Sequence, residues 1–516
     1  MQITVIIAML MALTAAEIVN EPPTAEGQFW FGYLEGIDVL LLLLGTLILM
    51  GTLMRLVSKH LIGRLERASL PGRVDLRLPG RIEFVMRIVI LVMFAGLLTA
   101  GGWAKLVIAE WRLGRLVLAD EICLMLPLVV MLLLMWHCFY PVNRFIREYI
   151  VVGQLAEGLA ARPVWSRRQY LSFQARGNLL IVLVPVLLIL GFRDVVELVK
   201  HRWWAQVPHA DGLGEAVTGG GALLVFVLAP LLLMRIWLTR TLPPGPLRGR
   251  LEAFCAKMGL RYRDILLWDT YGAVANAAVM GLWAPIRYVL LSDALIENME
   301  DEQIEAVFGH EAAHVRKHHI LFLMLLVVGS GLLVVLLSDL ISLGLNGLPG
   351  GSNEPVPYAQ QLFYGWLVMS AAGWGFLFGW VSRRFERQAD VHAALAVEGL
   401  GSASAVNDLE TAPDNEQAGE DFSPAPQGKL GPKGARIMTA ALMRIALLNG
   451  ISVEARSWRH SSIRSRAAFL RELAEKAYAL RRFERVVILI KIMILAALVV
   501  GAGGLLLLRM GGWVNE

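Results

Sequence analysis

The chain has 516 residues, 56% hydrophobic and 18% charged, against about 25% charge in a typical soluble domain. This argues against a purely soluble enzyme and against disorder over most of the length. A net charge of +5 is too small an excess on this length to point to nucleic acid. The three cysteines form no Cys-x-x-Cys pair, so neither a disulfide framework nor a thiolate metal site is expected.

A helix needs about 20 mostly apolar residues to cross a hydrocarbon core, where it must satisfy its own backbone hydrogen bonds. Eight stretches qualify, near 37–56, 88–108, 121–140, 178–197, 219–238, 320–343, 362–381 and 486–508. Arg193 and Asp194 interrupt the fourth, and Lys491 in the last is expected to snorkel. A ninth apolar run, Ile3 to Ala16, is short and lacks a basic flank; it reads either as a poor signal sequence or as an extra span. The organisation expected is therefore an N-terminal segment 1–36, five spans with basic loops over 37–240, a polar segment 241–319, a membrane hairpin 320–381, a second polar segment 382–485, and a last span with its tail at 486–516. Most of the 48 Lys and Arg fall in 55–87, 141–177, 239–319 and 382–485, which by the positive-inside rule places both large polar segments in the cytoplasm and both termini outside.

Pro243, Pro244 and Pro246 end the fifth span, because proline lacks the amide donor and fixes φ. Arg250 to Leu260 then reads as a short amphipathic helix and Ile286 to Leu291 as a strand. Asp301 to His319 has helical spacing, with acids in its first turn and basic residues in its last, and is expected to run on into the sixth span. Residues 399–435, rich in Gly, Pro, Ser and acids, read as a flexible insertion, after which helices resume at 437–448 and 462–483.

The chemistry sits at His310-Glu311-Ala312-Ala313-His314, an HExxH on that helix. Residues four apart share a helix face, so both imidazoles can hold one Zn²⁺ while Glu311 faces the open coordination position as the base. A catalytic zinc wants a third protein ligand. Spans six and seven form a hairpin that returns Glu386 and Asp390 to the same membrane face; these two are also four apart, so one can bind metal while the other orients a histidine ligand from behind. His319 closes the basic last turn of the motif helix, and His460 and Arg466 lie on a later basic stretch.

Together these motifs resemble the membrane zinc metalloendopeptidases of the CAAX prenyl protease and HtpX type. The resemblance rests on Asn276-Ala277, the stretch Arg287 to Ile296, Glu305-Ala306-Val307 leading into HEAAH, His319, Ser382-Arg383 before Glu386-x-x-x-Asp390, and His460-Ser461-Ser462 with Arg466, in family order over roughly 245–475. It implies His310, His314 and Glu386 on one zinc per chain and Glu311 as general base. It further implies His460 and Arg466 as donors to a developing oxyanion, and a strand edge at Asn276 and Ala277 that pairs with an extended substrate. This chain departs from the family pattern at Ala312-Ala313, Ala278-Val279 and Ser461 and adds the acidic insertion and the eighth span.

The expected fold is mainly α, a polytopic helical membrane protein with a small α+β cytoplasmic zinc metalloprotease domain. Its partners would be the bilayer and a protein or peptide substrate, with no nucleic acid. Two readings compete with a general membrane endopeptidase: a sensor-protease that cleaves one cytoplasmic repressor, and a non-catalytic membrane scaffold. The first is disfavoured by the short outer segments, the second by the intact ligand set and base.

Overall fold

The computed structural model describes residues 2–20, 34–69, 77–156, 158, 163–204, 210–281, 283–346, 359–398, 430–455 and 460–511. The chain divides into two compact units, the first comprising Met1–Leu242, Tyr262–Ala275 and Met280–Glu297, the second Pro243–Arg261, Asn276–Val279 and Asn298–Glu516. Most of the expected insertion, 399–429, lies outside the described residues, but its last residues, from Pro432 on, are already helical.

The first unit is a bundle of α1 (Gln2–Asn20), α2 (Ile37–Ser69), α3 (Arg77–Leu98), α4 (Ala119–Ala156), α5 (Arg167–Gln174), α6 (Ile181–Trp203) and α7 (Ala210–Ile236). In α1 the residues Val5, Ala8, Ala12 and Ala15 recur at helical spacing, are buried, and join one apolar core with Val39, Met50, Phe94 and Leu128. Ile3 and Leu10 on the same helix stay exposed. The N-terminal run is thus a packed member of the bundle and long and apolar enough to cross a membrane.

Seven described helices meet that length and composition. The second expected span is broken: Leu78–Leu98 and Trp103–Glu110 meet at 54°. Gly102 makes the corner at φ 75°, where a Cβ would stand 3.0 Å from the Leu34 carbonyl oxygen, so only glycine fits without strain. The seventh expected span falls within a helix, Ala359–Glu398, whose side chains are described only in part. The interruption in the fourth span has a partner: Arg193 Nη2 lies 2.9 Å from Glu121 on α4 and 2.9 Å from Asp194, which accepts from the Leu118 amide at 3.1 Å. Charges within an apolar span are tolerated when paired in this way.

Four short strands follow: β1 (Thr239–Thr241), β2 (Asp264–Trp268), β3 (Ala277–Met280) and β4 (Tyr288–Ser292). In the first unit β1 pairs antiparallel with β2 and β2 parallel with β4, Asp264 opposite Tyr288. β4 is buried along its whole length, as a strand covered on both faces must be.

The second unit contains α8 (Pro246–Met258), α9 (Asp301–Arg316), α10 (His319–Asn346), α11 (Ala359–Glu398), α12 (Pro432–Leu448), α13 (Ile463–Glu475) and α14 (Ala477–Met510). Phe254 of α8 packs edge-on against Phe308 of α9, and Arg250 reaches Asp301 and Glu305 on α9 at 2.8 Å each. These contacts fix the N-terminal half of the motif helix. Contrary to expectation, that helix does not run on into the next span. It ends at Arg316, and His318, at φ 55°, turns the chain before α10 begins at His319. The Lys317 carbonyl freed by this break accepts from Lys491 Nζ at 2.7 Å.

The long helix α11 is clasped by α9 on one side and α12 on another. Gly434 lets α12 approach so closely that an added Cβ would stand 2.1 Å from the Ala394 carbonyl oxygen, a contact with rigid backbone. We expect Gly434→Ala to destabilise the protein by about 1–3 kcal/mol, the usual cost of overpacking, seen as a lower melting temperature in detergent; an unchanged melting temperature would show that α12 can move outward freely.

Candidate metal centre

Three side chains from two helices converge. The ring nitrogens Nε2 of His310 and His314, one turn apart on α9, lie 3.2 Å from each other. Glu386 of α11 comes within 3.6 Å of His310 Nε2 and 3.7 Å of His314 Nε2 through its two oxygens, and one ligand atom from each residue falls within 4.8 Å of the others. Two nitrogens bound at about 2.0–2.1 Å in a tetrahedral site stand roughly 3.3 Å apart, so the pair is already spaced to hold one ion.

The charges around this point also suit a cation. Asp390, one turn beyond Glu386, is 1% exposed and lies 2.9 Å from His310 Nδ1. Arg466 of α13 grips the same carboxylate with two donors, Nε to Oδ2 at 2.7 Å and Nη2 to Oδ1. Burial alone would raise the Asp390 pKa, but Arg466 and His310 hold it below the usual carboxylate range. Glu386 follows the same pattern: burial opposes its charge, and its contacts with His310 and His460 hold its pKa low. Two ionised carboxylates against one guanidinium leave a negative excess. His310 answers it: burial would lower its pKa, yet the contacts with Asp390 and Glu386 push it up to about 10. His314 goes the other way, down to about 3, through burial and the neighbouring His310 charge.

With both Nε2 atoms turned to one point, both Nδ1 atoms carry hydrogen, and each has a destination. His310 Nδ1 faces Asp390. His314 Nδ1 donates to His319 Nδ1 at 3.1 Å; His319 must then carry its hydrogen on Nε2, which donates to Gln388 Oε1 at 2.8 Å, and Gln388 Nε2 donates to Glu484 of α14 at 2.6 Å. His319 is fully buried and stacks on Phe385 at 4.5 Å, ring planes 6° apart, which fixes its orientation. The break after α9 is what swings this histidine back beneath His314.

Glu311, half-buried beside His310, has no hydrogen-bond partner among the described residues. Burial, partly offset by His310, pushes its pKa up to about 7, the range suited to a proton acceptor that must also give the proton back.

The structure therefore brings together His310, Glu311, His314, His319, Glu386, Asp390, His460 and Arg466. His460 is half-exposed, with Nδ1 2.9 Å from Glu386 Oε2. Arg466, 8% exposed, spends two donors on Asp390. Asn276 is exposed at the start of β3 and Ala277 is buried in it; the network just traced runs through α9, α10, α11, α13 and α14 and does not include them. Gln388 and Glu484 carry no motif. Glu484 stands where a span begins, and only its position in space reveals a role.

Residues 247–418 match the model of Peptidase family M48. A Protease HtpX homolog of Bacteroides fragilis is 28% identical over 172 residues, 32% of this chain and 52% of the relative. Protease HtpX of Haemophilus ducreyi is 29% identical over 150 residues, 27% of this chain and 49% of the relative. The chain spans about half the length of these relatives. A crystal structure of S. mikatae Ste24p aligns with 84% of this chain and 99% of that one, at 14% identity and a TM-score of 0.43. The matched residues include His310, His314, Glu386 and Asp390, while Arg466 and Glu484, which complete the network, lie beyond them.

Proposed function

We propose that the chain is a zinc-dependent membrane endopeptidase that hydrolyses peptide bonds of membrane-associated proteins or peptides at the cytoplasmic face. The observation that carries this reading is the convergence of His310, His314 and Glu386 on one point beside an unpartnered Glu311. The cytoplasmic placement rests on the distribution of Lys and Arg between spans.

Zinc bound there would supply a Lewis acid that makes water nucleophilic near neutral pH and polarises the scissile carbonyl. Glu311 takes the proton of the attacking water and delivers it to the leaving amine. His460, half-exposed and in contact with Glu386, is placed to donate to the oxygen that gains charge. Arg466 acts through Asp390, which holds the His310 ring and its tautomer; it is a positioning residue. Asn276 and Ala277, at the start of a short strand, are assigned to backbone pairing with an extended substrate, which tolerates many sequences.

Purified wild type should carry one zinc per chain and cleave an unstructured protein such as casein. Glu386→Ala should lose both properties, and chelation followed by zinc readdition should remove and restore cleavage. A full zinc complement in Glu386→Ala would end the ligand assignment, and zinc without any cleavage in wild type would favour the scaffold.

The donor chain behind His314 yields a separate expectation. Gln388→Leu interrupts the path to Glu484 without touching a ligand, and partners behind a ligand are worth about 10- to 100-fold in metal affinity. Competition with a chromophoric chelator should show a loss of that size. Unchanged affinity would mean that stacking on Phe385 alone orients His319.

A further inference from the structure

The first unit holds a cavity of about 460 Å³ that peptide hydrolysis does not use. Arg55, Ser58, Lys59 and Gly63 line it from one face of α2, His137 from α4, and Arg167 from the first turn of α5. Arg55 and Lys59 make no ion pair among the described residues. The Arg167 guanidinium lies 5.2 Å over the Tyr140 ring and 3.4 Å from His137 Nε2, neither of which neutralises it. Glu66 is the one carboxylate in the lining.

Ser58 supplies an independent sign. It is 3% exposed and its hydroxyl has no hydrogen-bond partner among the described residues. Thr46 and Thr52 of the same helix bond back to the carbonyls of Leu42 and Ile48 at 2.8 Å, the usual refuge of a hydroxyl within a helix. The Ser58 hydroxyl makes no such bond and lines the cavity, so with the three cations it gives a donor set suited to an anionic oxygen ligand.

Depth indicates where that ligand comes from. Arg55 is the first charge after the apolar stretch of α2, and Leu49, Leu53 and Leu56 around it are exposed, as lipid-facing residues are. Basic pockets between helices at this level hold phosphate headgroups while acyl chains run along the apolar flank. We propose that this cavity binds the phosphate of an anionic phospholipid, with Arg55, Lys59, Arg167 and the Ser58 hydroxyl as its donors. The site is independent of the peptidase assignment.

The test uses the full chain in nanodiscs of phosphatidylcholine with graded phosphatidylglycerol, counting retained lipids by native mass spectrometry. Wild type should retain phosphatidylglycerol at least about tenfold over phosphatidylcholine, and Arg55→Gln/Lys59→Gln/Arg167→Gln should weaken retention on the order of 100-fold, about fivefold per charge. Gly63→Phe keeps every charge, and its Cβ meets nothing within 4 Å; the ring should fill the cavity and abolish the preference. Equal retention by wild type and both variants would overturn the site. Displacement of phosphatidylglycerol by inorganic phosphate at equal concentration would overturn the lipid as its source.

Discussion

Glu311→Gln should lower peptide hydrolysis by about 100- to 10,000-fold, the range a positioned general base contributes, while zinc content stays at one per chain. Gln keeps the size of the side chain and loses only the ability to take the proton. The same variant has a signature in the metal-free protein. Burial pushes the Glu311 carboxyl from 4.5 up to about 7, so the folded state binds this proton more tightly than the unfolded state. That stabilisation is fully present below pH 4.5 and is lost as pH rises through about 7. Metal-free Glu311→Gln should therefore melt higher than metal-free wild type at pH 8, by on the order of 3 kcal/mol, and the gap should close near pH 5. Thermal melts in detergent after chelation measure this directly; a gap that does not vary with pH would mean that Glu311 is solvated and that another group must be the base.

Arg466→Met should destabilise the chain by about 3–5 kcal/mol, because it strands Asp390, 1% exposed, without its guanidinium partner. Its pH dependence has the opposite sign to that of Glu311. Asp390 has a lowered folded pKa, so its contribution is present above 3.8 and lost as pH falls through the lowered value. The deficit of Arg466→Met should be largest near neutral pH and shrink in acid. Zinc affinity should fall as well, since a carboxylate released from Arg466 no longer holds His310 Nδ1 in place. Arg466→Met/Asp390→Leu should regain much of the lost stability, both charges being gone, and none of the zinc affinity. Recovery of both would reduce Asp390 to a partner of Arg466 alone.

Much of the site is legible in the sequence because helical spacing is a local rule. Two histidines four apart, and two carboxylates four apart, must share faces whatever surrounds them. The return of Glu386 to the histidines is also legible, since two apolar stretches of crossing length separate the motifs and a hairpin brings its ends together. The end of the motif helix is not legible. Nothing in Arg316-Lys317-His318-His319 announces a left-handed residue at 318, a conformation settled by where His319 and Lys491 find partners in the folded unit. The roles of Gln388, Glu484 and Lys491 are invisible for the same reason: each partner lies more than sixty positions away along the chain.

The order of letters alone settled which segments are apolar enough to enter a bilayer and which side chains can share a helical turn, since both follow from composition and a period of about 3.6 residues. Folding decided the rest. It broke one span at Gly102, built the N-terminal helix into the first unit, and stopped the motif helix short. It also linked His314 through His319 and Gln388 to Glu484. These outcomes depend on which distant groups satisfy one another once water is excluded, and no local pattern encodes that.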